Sequence, residues 1–313
     1  MLRYLSIRVL STIPVLVFVG LLIFSLLHLM PGDPALLIAG DNASPEQVET
    51  IRASLHLDQS LPVQFVIWAN DLIHLDFGQS VFTRRPVIEL IGQRIQPTVV
   101  LAITATLLAA LVAVPLGILA AYRSHTLIDR GVIALSVAGF SIPVFVIGYA
   151  LIYVLAVRLH WLPVQGYKPL SDGLVPCLRS IALPSLSLAL LMIGLIARIT
   201  RATMLEILDE DYIRTARAKG ALTMRVLFVH ALKNAGPPVI TIIGIGFAGL
   251  LGGVVVTETV FNIPGMGRLT TDAIMQRDYP VVQGVMLTFA LMLIGVNLLI
   301  DLTYPFFDPR VRY

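Results

Sequence analysis

Six long apolar runs, each free of Lys, Arg, Asp and Glu, dominate the pattern of hydrophobic and polar positions along the chain. Each run is 18 to 28 residues long, and a helix needs about 20 residues to cross the hydrocarbon core of a bilayer. A helix in a soluble core has no reason to be apolar on every side for that length. The pattern therefore predicts an all-α membrane protein with six transmembrane helices. The runs are 9–30, 95–122, 131–157, 180–197, 234–257 and 279–300.

The composition agrees with a membrane protein and excludes several other classes. Hydrophobic residues make up 57% of the chain and charged residues 13%, whereas soluble domains carry about 25% charge. The net charge of +3 is spread over loops, which argues against nucleic-acid binding. A single cysteine, Cys177, excludes an internal disulfide and a cysteine metal cluster. The first run is too long for a signal peptide and no small-residue cleavage site follows it, so we expect a retained span.

The distribution of basic residues predicts the orientation in the membrane. If both termini are cytoplasmic, the inside segments hold 13 of the 22 Lys and Arg residues although they are much shorter than the outside segments. This density difference supports cytoplasmic termini. Cys177 is then expected on the outer side, within reach of a membrane-impermeant thiol reagent unless a partner covers it. A cysteine introduced at Ser124 would face the cytoplasm.

The runs divide the chain into four predicted segments. Residues 1–30 form the N-terminal cytoplasmic end and first span, 31–94 an extracytoplasmic loop, 95–303 a five-span core, and 304–313 a cytoplasmic tail. The long loop contains two predicted short helices. Their signals are an N-cap and capping-box pattern in Ser44-Pro45-Glu46-Gln47, and one apolar face formed by Leu61, Phe65, Trp68 and Leu72. This loop is either a small cap on the outer mouth or a docking surface for an extracytoplasmic partner.

The cytoplasmic loop 198–233 begins as a helical extension of the fourth run and then contains a short amphipathic helix. Asp209-Glu210-Asp211 interrupts the apolar pattern, and Asp211 is predicted to cap the new helix. Gly220 stands where a left-handed helix terminator is expected. The segment from Tyr212 to Lys219 would be about 12 Å long. The sequence alone leaves open whether this helix is an interfacial linker or a surface for another chain.

The segment 258–268 is rich in turn-forming residues. It is either a surface loop or a re-entrant element that narrows a pore, because irregular backbone at membrane depth must be shielded. Glu258 and Asp301 lie just beyond the fifth and sixth runs, and we expect structural pairing for both. Five glycines of the fifth run predict close helix packing or, alternatively, hinging: Gly244, Gly246, Gly249, Gly252 and Gly253.

The cytoplasmic stretch resembles the coupling loop of ATP-binding-cassette (ABC) importer permeases, in particular the dipeptide, oligopeptide and nickel branch. That loop reads Asp-Tyr-x-Arg-Thr-Ala-Arg-Ala-Lys-Gly, and residues 211–220 match it without a break. The broader Glu-Ala-Ala-x3-Gly pattern matches only at Ala216 and Gly220, as in that branch. Shorter matches extend over nearly the whole chain. They include Pro31-Gly32-Asp33-Pro34, Glu258-Thr259-Val260-Phe261, Pro264-Gly265-Met266-Gly267 and Asp308-Pro309-Arg310.

The resemblance implies a type I ABC importer permease in a bacterial or archaeal inner membrane. Its partners would be a second related permease, two cytoplasmic ATPases, an extracytoplasmic substrate-binding protein and membrane lipid. The implied coupling residues are Asp211, Tyr212, Arg214, Thr215, Ala216, Arg217, Ala218, Lys219 and Gly220. A candidate outer gate comprises Phe261, Pro264, Gly265 and Gly267.

The residues offer no chemistry of their own. The sequence lacks a Gly-x4-Gly-Lys-Ser/Thr loop, so ATP and Mg²⁺ would bind on the ATPase chains and no cofactor is expected here. The six histidines are scattered, no catalytic or metal-binding spacing is present, and His28 is at most a lining residue. Two other classes stay open, a stand-alone secondary transporter and a membrane enzyme. The absence of charge within the runs disfavours the transporter. Dipeptides, oligopeptides, glutathione and nickel chelates are the candidate cargoes.

Overall fold

The computed structural model describes residues 2–28, 33–40, 43–54 and 56–307. Thirteen α-helices are assigned over these residues, and the only β-structure among them is an isolated bridge between Gln79 and Pro86. The helices are α1 (Leu2–His28), α2 (Pro34–Ala39), α3 (Pro45–Ser54), α4 (Leu61–Ile73), α5 (Val87–Tyr122), α6 (Leu127–Ser141), α7 (Val144–Leu151), α8 (Leu174–Leu208), α9 (Asp211–Ala218), α10 (Thr223–Arg225), α11 (Leu232–Val260), α12 (Met266–Met275) and α13 (Tyr279–Phe307). Two π-helical segments, Ile152–Arg158 and Val226–Ala231, continue α7 and precede α11.

Four stretches of helix in the described part of the chain are long and apolar enough to cross a membrane. They are Val87–Tyr122, Leu174–Leu208, Thr223–Val260 and Tyr279–Thr303. The predicted run 131–157 is broken at Ile142-Pro143, where the helix axis bends by more than 40°. A fifth span is therefore present only if α6 and α7, with the π-helical segment that continues α7, are counted together as one broken span. In α1 the apolar helical stretch is Leu10–Ser25, which is shorter than the predicted run 9–30 and shorter than the four stretches above. The helical membrane architecture is confirmed, whereas the count of six spans stays a prediction.

The chain divides into two compact units, and the predicted segment boundaries at 30, 94 and 303 stay predictions. One unit comprises residues 1–96 and 265–295. In it, Phe24 of α1 packs on Phe65 and Trp68 of α4, with ring centroids 5.5 and 5.7 Å away. The two predicted helices of the long loop are confirmed as α3 and α4. The Ser44–Gln47 capping box is formed in both directions, at 3.3 and 2.9 Å.

A buried carboxylate holds the loop that precedes α5 in this first unit. Asp278 is 3% exposed, and it accepts hydrogen bonds from the Ser80 hydroxyl and from the backbone N–H groups of Val81 (3.1 Å) and Phe82 (3.4 Å). Three donors compensate the cost of burying a charge. The loop is therefore pinned beside the start of α13.

The second unit, residues 97–264 and 296–313, is built around α8. Two thirds of its most apolar window is buried, a larger share than in the other long helices. Small residues allow neighbouring helices to approach it closely: a Cβ on Gly117 would lie 2.6 Å from Thr200 Cβ, and one on Gly194 would lie 2.7 Å from the Ser136 carbonyl oxygen. In α11 the packing interpretation holds for Gly244 and Gly246, where a Cβ would collide with Ile300 and Met192 respectively.

Candidate functional site

The short amphipathic helix predicted between two long helices is present as α9. Its N-cap is Glu210 and not Asp211, because the backbone of Glu210 is extended (φ −67°, ψ 147°) and its carbonyl accepts the first helical bond, from Ile213 N at 3.0 Å. The prediction for Asp211 is thus wrong by one residue. Asp211 is the first helical residue, where its charge still favours the helix dipole, and its carboxylate lies 3.3 Å from Arg214 Nη1.

One apolar side chain anchors α9 to the body of the second unit. Ile213 is fully buried, in a cluster that includes Met204 of α8 and Val226 and Leu227 of the following π-helical segment. Beside it, the Tyr212 hydroxyl accepts a hydrogen bond from Asn234 Nδ2 of α11 at 2.7 Å. Sequence reasoning missed both contacts. Ile213 was discoverable as the single large aliphatic residue of α9, while the Asn234 contact had no sequence signal.

The C-terminal end of α9 is a complete Schellman motif. Gly220 N donates to Arg217 O (2.9 Å) and Ala221 N donates to Ala216 O (3.1 Å), which satisfies two terminal carbonyls. Gly220 has φ +81°, in the left-handed region that L side chains rarely adopt. The predicted terminator is therefore confirmed, and the direction in which the chain leaves α9 is fixed by this glycine.

Most of α9 is open to solvent. Arg214, Arg217 and, at its C-cap, Lys219 are exposed, so its surface carries cationic side chains, and Ala216 is half-buried. A groove of about 390 Å³ runs beside the helix. The exposed positions of α9 and its end are Asp211, Tyr212, Arg214, Thr215, Arg217, Ala218, Lys219 and Gly220. A short, anchored helix with exposed cationic side chains can seat on another protein chain or lie on lipid headgroups.

A buried ion pair supports the helix that carries α9. Arg201 of α8 makes two parallel hydrogen bonds to Asp129 at the start of α6, one of them 2.8 Å between Nη2 and Oδ2. The Asp129 side chain is 4% exposed, and the backbone N–H of His125 also donates to it at 2.9 Å. The pair fixes the end of α8 from which α9 departs. Its partners are 72 residues apart, and nothing in the sequence pattern pointed to it.

The candidate outer-gate residues lie in a segment that is mostly buried. Phe261 is 2% exposed and Ile263 is fully buried, so the surface-loop alternative is wrong for them. Pro264 is half-buried, Gly265 is the N-cap of α12, and Gly267 is buried in its first turn. A Cβ on Gly148 would lie 3.2 Å from the Phe261 ring, which shows how closely α7 approaches it. The gate role itself stays a prediction.

Glu258 and Cys177 are placed differently from the sequence expectation. Glu258 belongs to α11, is fully buried, and accepts a hydrogen bond from Thr98 Oγ1 of α5 at 2.5 Å. The expected structural pairing is present, but inside the helix packing. Cys177 lies in the first turns of α8 and is fully buried, so the expectation that an external reagent reaches it is wrong. Among the described residues, no three His, Cys, Asp or Glu side chains form a metal-binding group.

Comparisons with known proteins agree with the helical membrane architecture. A family profile for the "Binding-protein-dependent transport system inner membrane component" matches residues 113–313, and the profile for the N-terminal part of such components matches residues 1–102. The chain is 51% identical over 310 residues to a probable peptide ABC transporter permease protein of Sinorhizobium fredii, covering 99% of both. It is 42% identical over 313 residues to a glutathione transport system permease protein of Escherichia coli, covering 100% of both.

Solved structures give the same fold. A chain of the MetNI methionine ABC transporter in an inward-facing crystal form matches with a TM-score of 0.59 at 18% identity, covering 71% of this chain and 97% of that one. A second crystal form gives 0.58. At this identity the likeness shows the fold alone, which is that of a type I importer permease.

Proposed function

The chain belongs to the family of binding-protein-dependent transport system inner membrane components, and from that premise we propose that it is a permease subunit of an ATP-driven peptide importer. It is a multi-pass inner-membrane protein. We infer that it forms half of a translocation pore with a second, related permease, and that both termini are cytoplasmic. The names of relatives at 51% and 42% identity favour peptides, glutathione included, as cargo.

The observation that carries the proposal is α9, anchored at one end of a long membrane helix with its cationic side chains exposed. Ile213 and the Tyr212–Asn234 hydrogen bond tie α9 to α8 and α11. A force applied to the exposed face therefore moves these helices together, because packed elements transmit displacement as units. We propose that two cytoplasmic ATPases supply this force and that α9 seats on one of them.

The energy source is proposed to lie on those partner chains. The sequence contains no phosphate-binding loop of the Gly-x4-Gly-Lys-Ser/Thr type, and each charge-free run lacks a carboxylate for proton coupling. ATP and Mg²⁺ would bind the ATPases, and an extracytoplasmic binding protein would deliver the cargo. The present chain would then be a non-enzymatic part of the machine.

One arrangement favours a second candidate, proton-coupled transport by the chain alone. Glu258 is a buried carboxylate near the end of α11, which the structure extends beyond the predicted run. Its hydrogen bond from Thr98 is the pairing that a structural role requires. The Glu258→Gln variant separates the two roles, because glutamine keeps an acceptor oxygen but cannot carry a transported proton.

Reconstitution in liposomes tests the proposal directly. The purified chain alone should give no uptake of a labelled dipeptide, with or without a proton gradient. Addition of the second permease, both ATPases, the binding protein and ATP should start uptake, and a non-hydrolysable ATP analogue should not. Glu258→Gln should retain ATP-driven uptake. Uptake against a gradient by the chain alone, abolished by this variant, would replace the importer with a secondary transporter.

The two roles open to the face of α9 are separated by charge reversal. If α9 seats on an ATPase, Arg217→Glu should reduce the amount of ATPase that co-purifies while membrane insertion stays unchanged. The matched control is Arg123→Glu, which reverses an exposed charge just after α5 that does not line the groove beside α9. Impaired insertion with normal ATPase co-purification would assign the cations to lipid headgroups instead.

A further inference from the structure

A basic groove lies at the end of α8 that is opposite to α9. It has a volume of about 610 Å³ and lies between the loop 160–168 and the first turns of α8. The cationic or ionisable residues that line it are His160, Lys168 and Arg179, and no carboxylate lines it. Asp172 is the only acid in the loop 158–179, and it does not line the groove.

The groove is preformed by contacts between the loop and the long helices. The Lys168 backbone N–H donates to Ser180 Oγ of α8 at 3.2 Å, and Gly166 N donates to the Phe261 carbonyl at 3.1 Å. Between them, burial raises the pKa of the Tyr167 hydroxyl to about 12, so this side chain stays neutral at physiological pH. The charge of the groove therefore comes from its cations alone.

Arg158 and Arg179 flank the loop and lie at the expected level of the membrane interface. Arg158 directly follows the charge-free run 131–157, and Arg179 directly precedes the run 180–197. Cations at the ends of spans reach into the headgroup layer. The 35 residues of α8 give the helix a length of about 52 Å, which is well beyond the roughly 30 Å thickness of the hydrocarbon core. The groove and α9 are consequently on opposite sides of the membrane.

Exposed apolar side chains accompany the cations. Trp161 is 63% exposed, Leu174 62% and Val175 74%. Arg179 Nη2 donates to the Trp161 carbonyl at 3.3 Å, which keeps this indole-bearing residue beside the groove. Tryptophan at the end of a span is typical of the interface between acyl chains and headgroups. Exposed aliphatic residues beside cations suit a lipid, because its acyl chains can contact the apolar side chains while its headgroup contacts the cationic ones.

We propose that this groove binds the phosphate-bearing headgroup of an anionic phospholipid, with Lys168 and Arg179 as its cationic ligands. Lys168 makes no ion pair with any residue that the structure describes, and Arg179 has N–H groups beyond the one used for Trp161. The acyl chains would lie against Leu174 and Val175. The inference rests on the membrane location of the chain and on neither its cargo nor its energy source.

The fluorescence of Trp161 can report on lipid beside the groove. The chain has two tryptophans, so Trp161 is the single tryptophan of the Trp68→Phe variant. In phosphatidylcholine nanodiscs with a small fraction of brominated phosphatidylglycerol, Trp161 fluorescence should be quenched far more than by the same fraction of brominated phosphatidylcholine. Lys168→Gln combined with Arg179→Gln should abolish this preference, a loss of roughly 30-fold in apparent affinity for the anionic lipid. The charge-matched control, Arg84→Gln with Arg85→Gln, should retain it.

Further measurements distinguish a lipid headgroup from a soluble anion, and a lipid from a protein partner. Arg179→Lys keeps the charge and should keep most of the preference, which excludes mere displacement of Trp161. Inorganic phosphate should not remove the preference; if it does at millimolar concentration, the groove binds a soluble anion and the lipid proposal fails. Equal quenching by both brominated lipids also overturns it. So does a double variant that keeps the lipid preference but no longer associates with the binding protein, because the groove is then a protein-docking surface.

Discussion

Gly220 gives the sharpest test of whether the geometry of α9 matters for coupling. A Cβ added there would meet no atom within 4 Å, so substitution creates no clash. The whole cost is the left-handed backbone at φ +81°, which is about 1–2 kcal/mol for an L-residue such as alanine. Valine should cost more because its β-branched side chain is a conformational outlier there. Asparagine tolerates this region and should cost less.

A penalty of this size decreases the equilibrium ratio of the native α9 terminus to rearranged loop conformations by roughly 5- to 30-fold. We therefore expect the order of activity to be glycine, asparagine, alanine and then valine. The assay is ATP hydrolysis by the reconstituted complex, stimulated by the loaded binding protein. Membrane insertion, measured in parallel, should be the same for all variants, because Gly220 is exposed and a Cβ added there meets no atom within 4 Å.

Gly131→Ala is the matched control for this series. Gly131 lies in α6, a Cβ added there also meets nothing within 4 Å, and its φ is outside the left-handed region. The same chemical change should therefore leave stimulated ATP hydrolysis unchanged. Full activity of Gly220→Val would show that the terminator does not position α9. An asparagine variant less active than valine would show that side-chain contacts, and not backbone strain, control the loop.

Buried contacts elsewhere lead to three more expected outcomes. A membrane-impermeant maleimide should leave native Cys177 unlabelled in intact cells but label Ser171→Cys in a Cys177→Ser background, since Ser171 is exposed in the loop before α8; labelling of the native thiol would contradict the burial. Arg201→Met should destabilise the chain by about 3–5 kcal/mol by leaving Asp129 unpaired, and Asp129→Leu added to it should restore much of the melting temperature in detergent. Equal melting of single and double variants would refute this. Asp278→Ala should make the loop that it holds cleave faster with trypsin, at unchanged cleavage elsewhere.

The features that the sequence predicted correctly depend on neighbouring residues. The Ser44–Gln47 capping box, the short helix α9 and its Gly220 terminator each follow from chemistry within five or six residues. Charge-free runs likewise predicted most long helices, because a bilayer imposes the same requirement on each run separately. The shift of the N-cap from Asp211 to Glu210 is within the usual ambiguity among consecutive acidic residues.

The features that the sequence did not predict join distant parts of the chain. The Arg201–Asp129 pair and the contact of Ser80 with Asp278 span 72 and 198 residues. Burial of Cys177 likewise depends on how neighbouring segments fold over α8, which no local pattern encodes. The break in the run 131–157 did have a signal: Pro143 disfavours helical backbone at Ile142, which is extended in the structure (φ −96°, ψ 123°).

The packing of α8 indicates which elements must yield if α9 moves during transport. α8 is helical without interruption over 35 residues, and it is clamped by close approaches at Gly117 and Gly194 and by the buried pair to Arg201. Such a helix transmits a displacement along its length and does not absorb it. We therefore expect such a change to be carried by the irregular elements around α8, which are the break at Ile142-Pro143 and the π-helical segment Ile152–Arg158. Interruptions of this kind accommodate helix rearrangement at low cost, since their hydrogen-bond registers are already non-ideal.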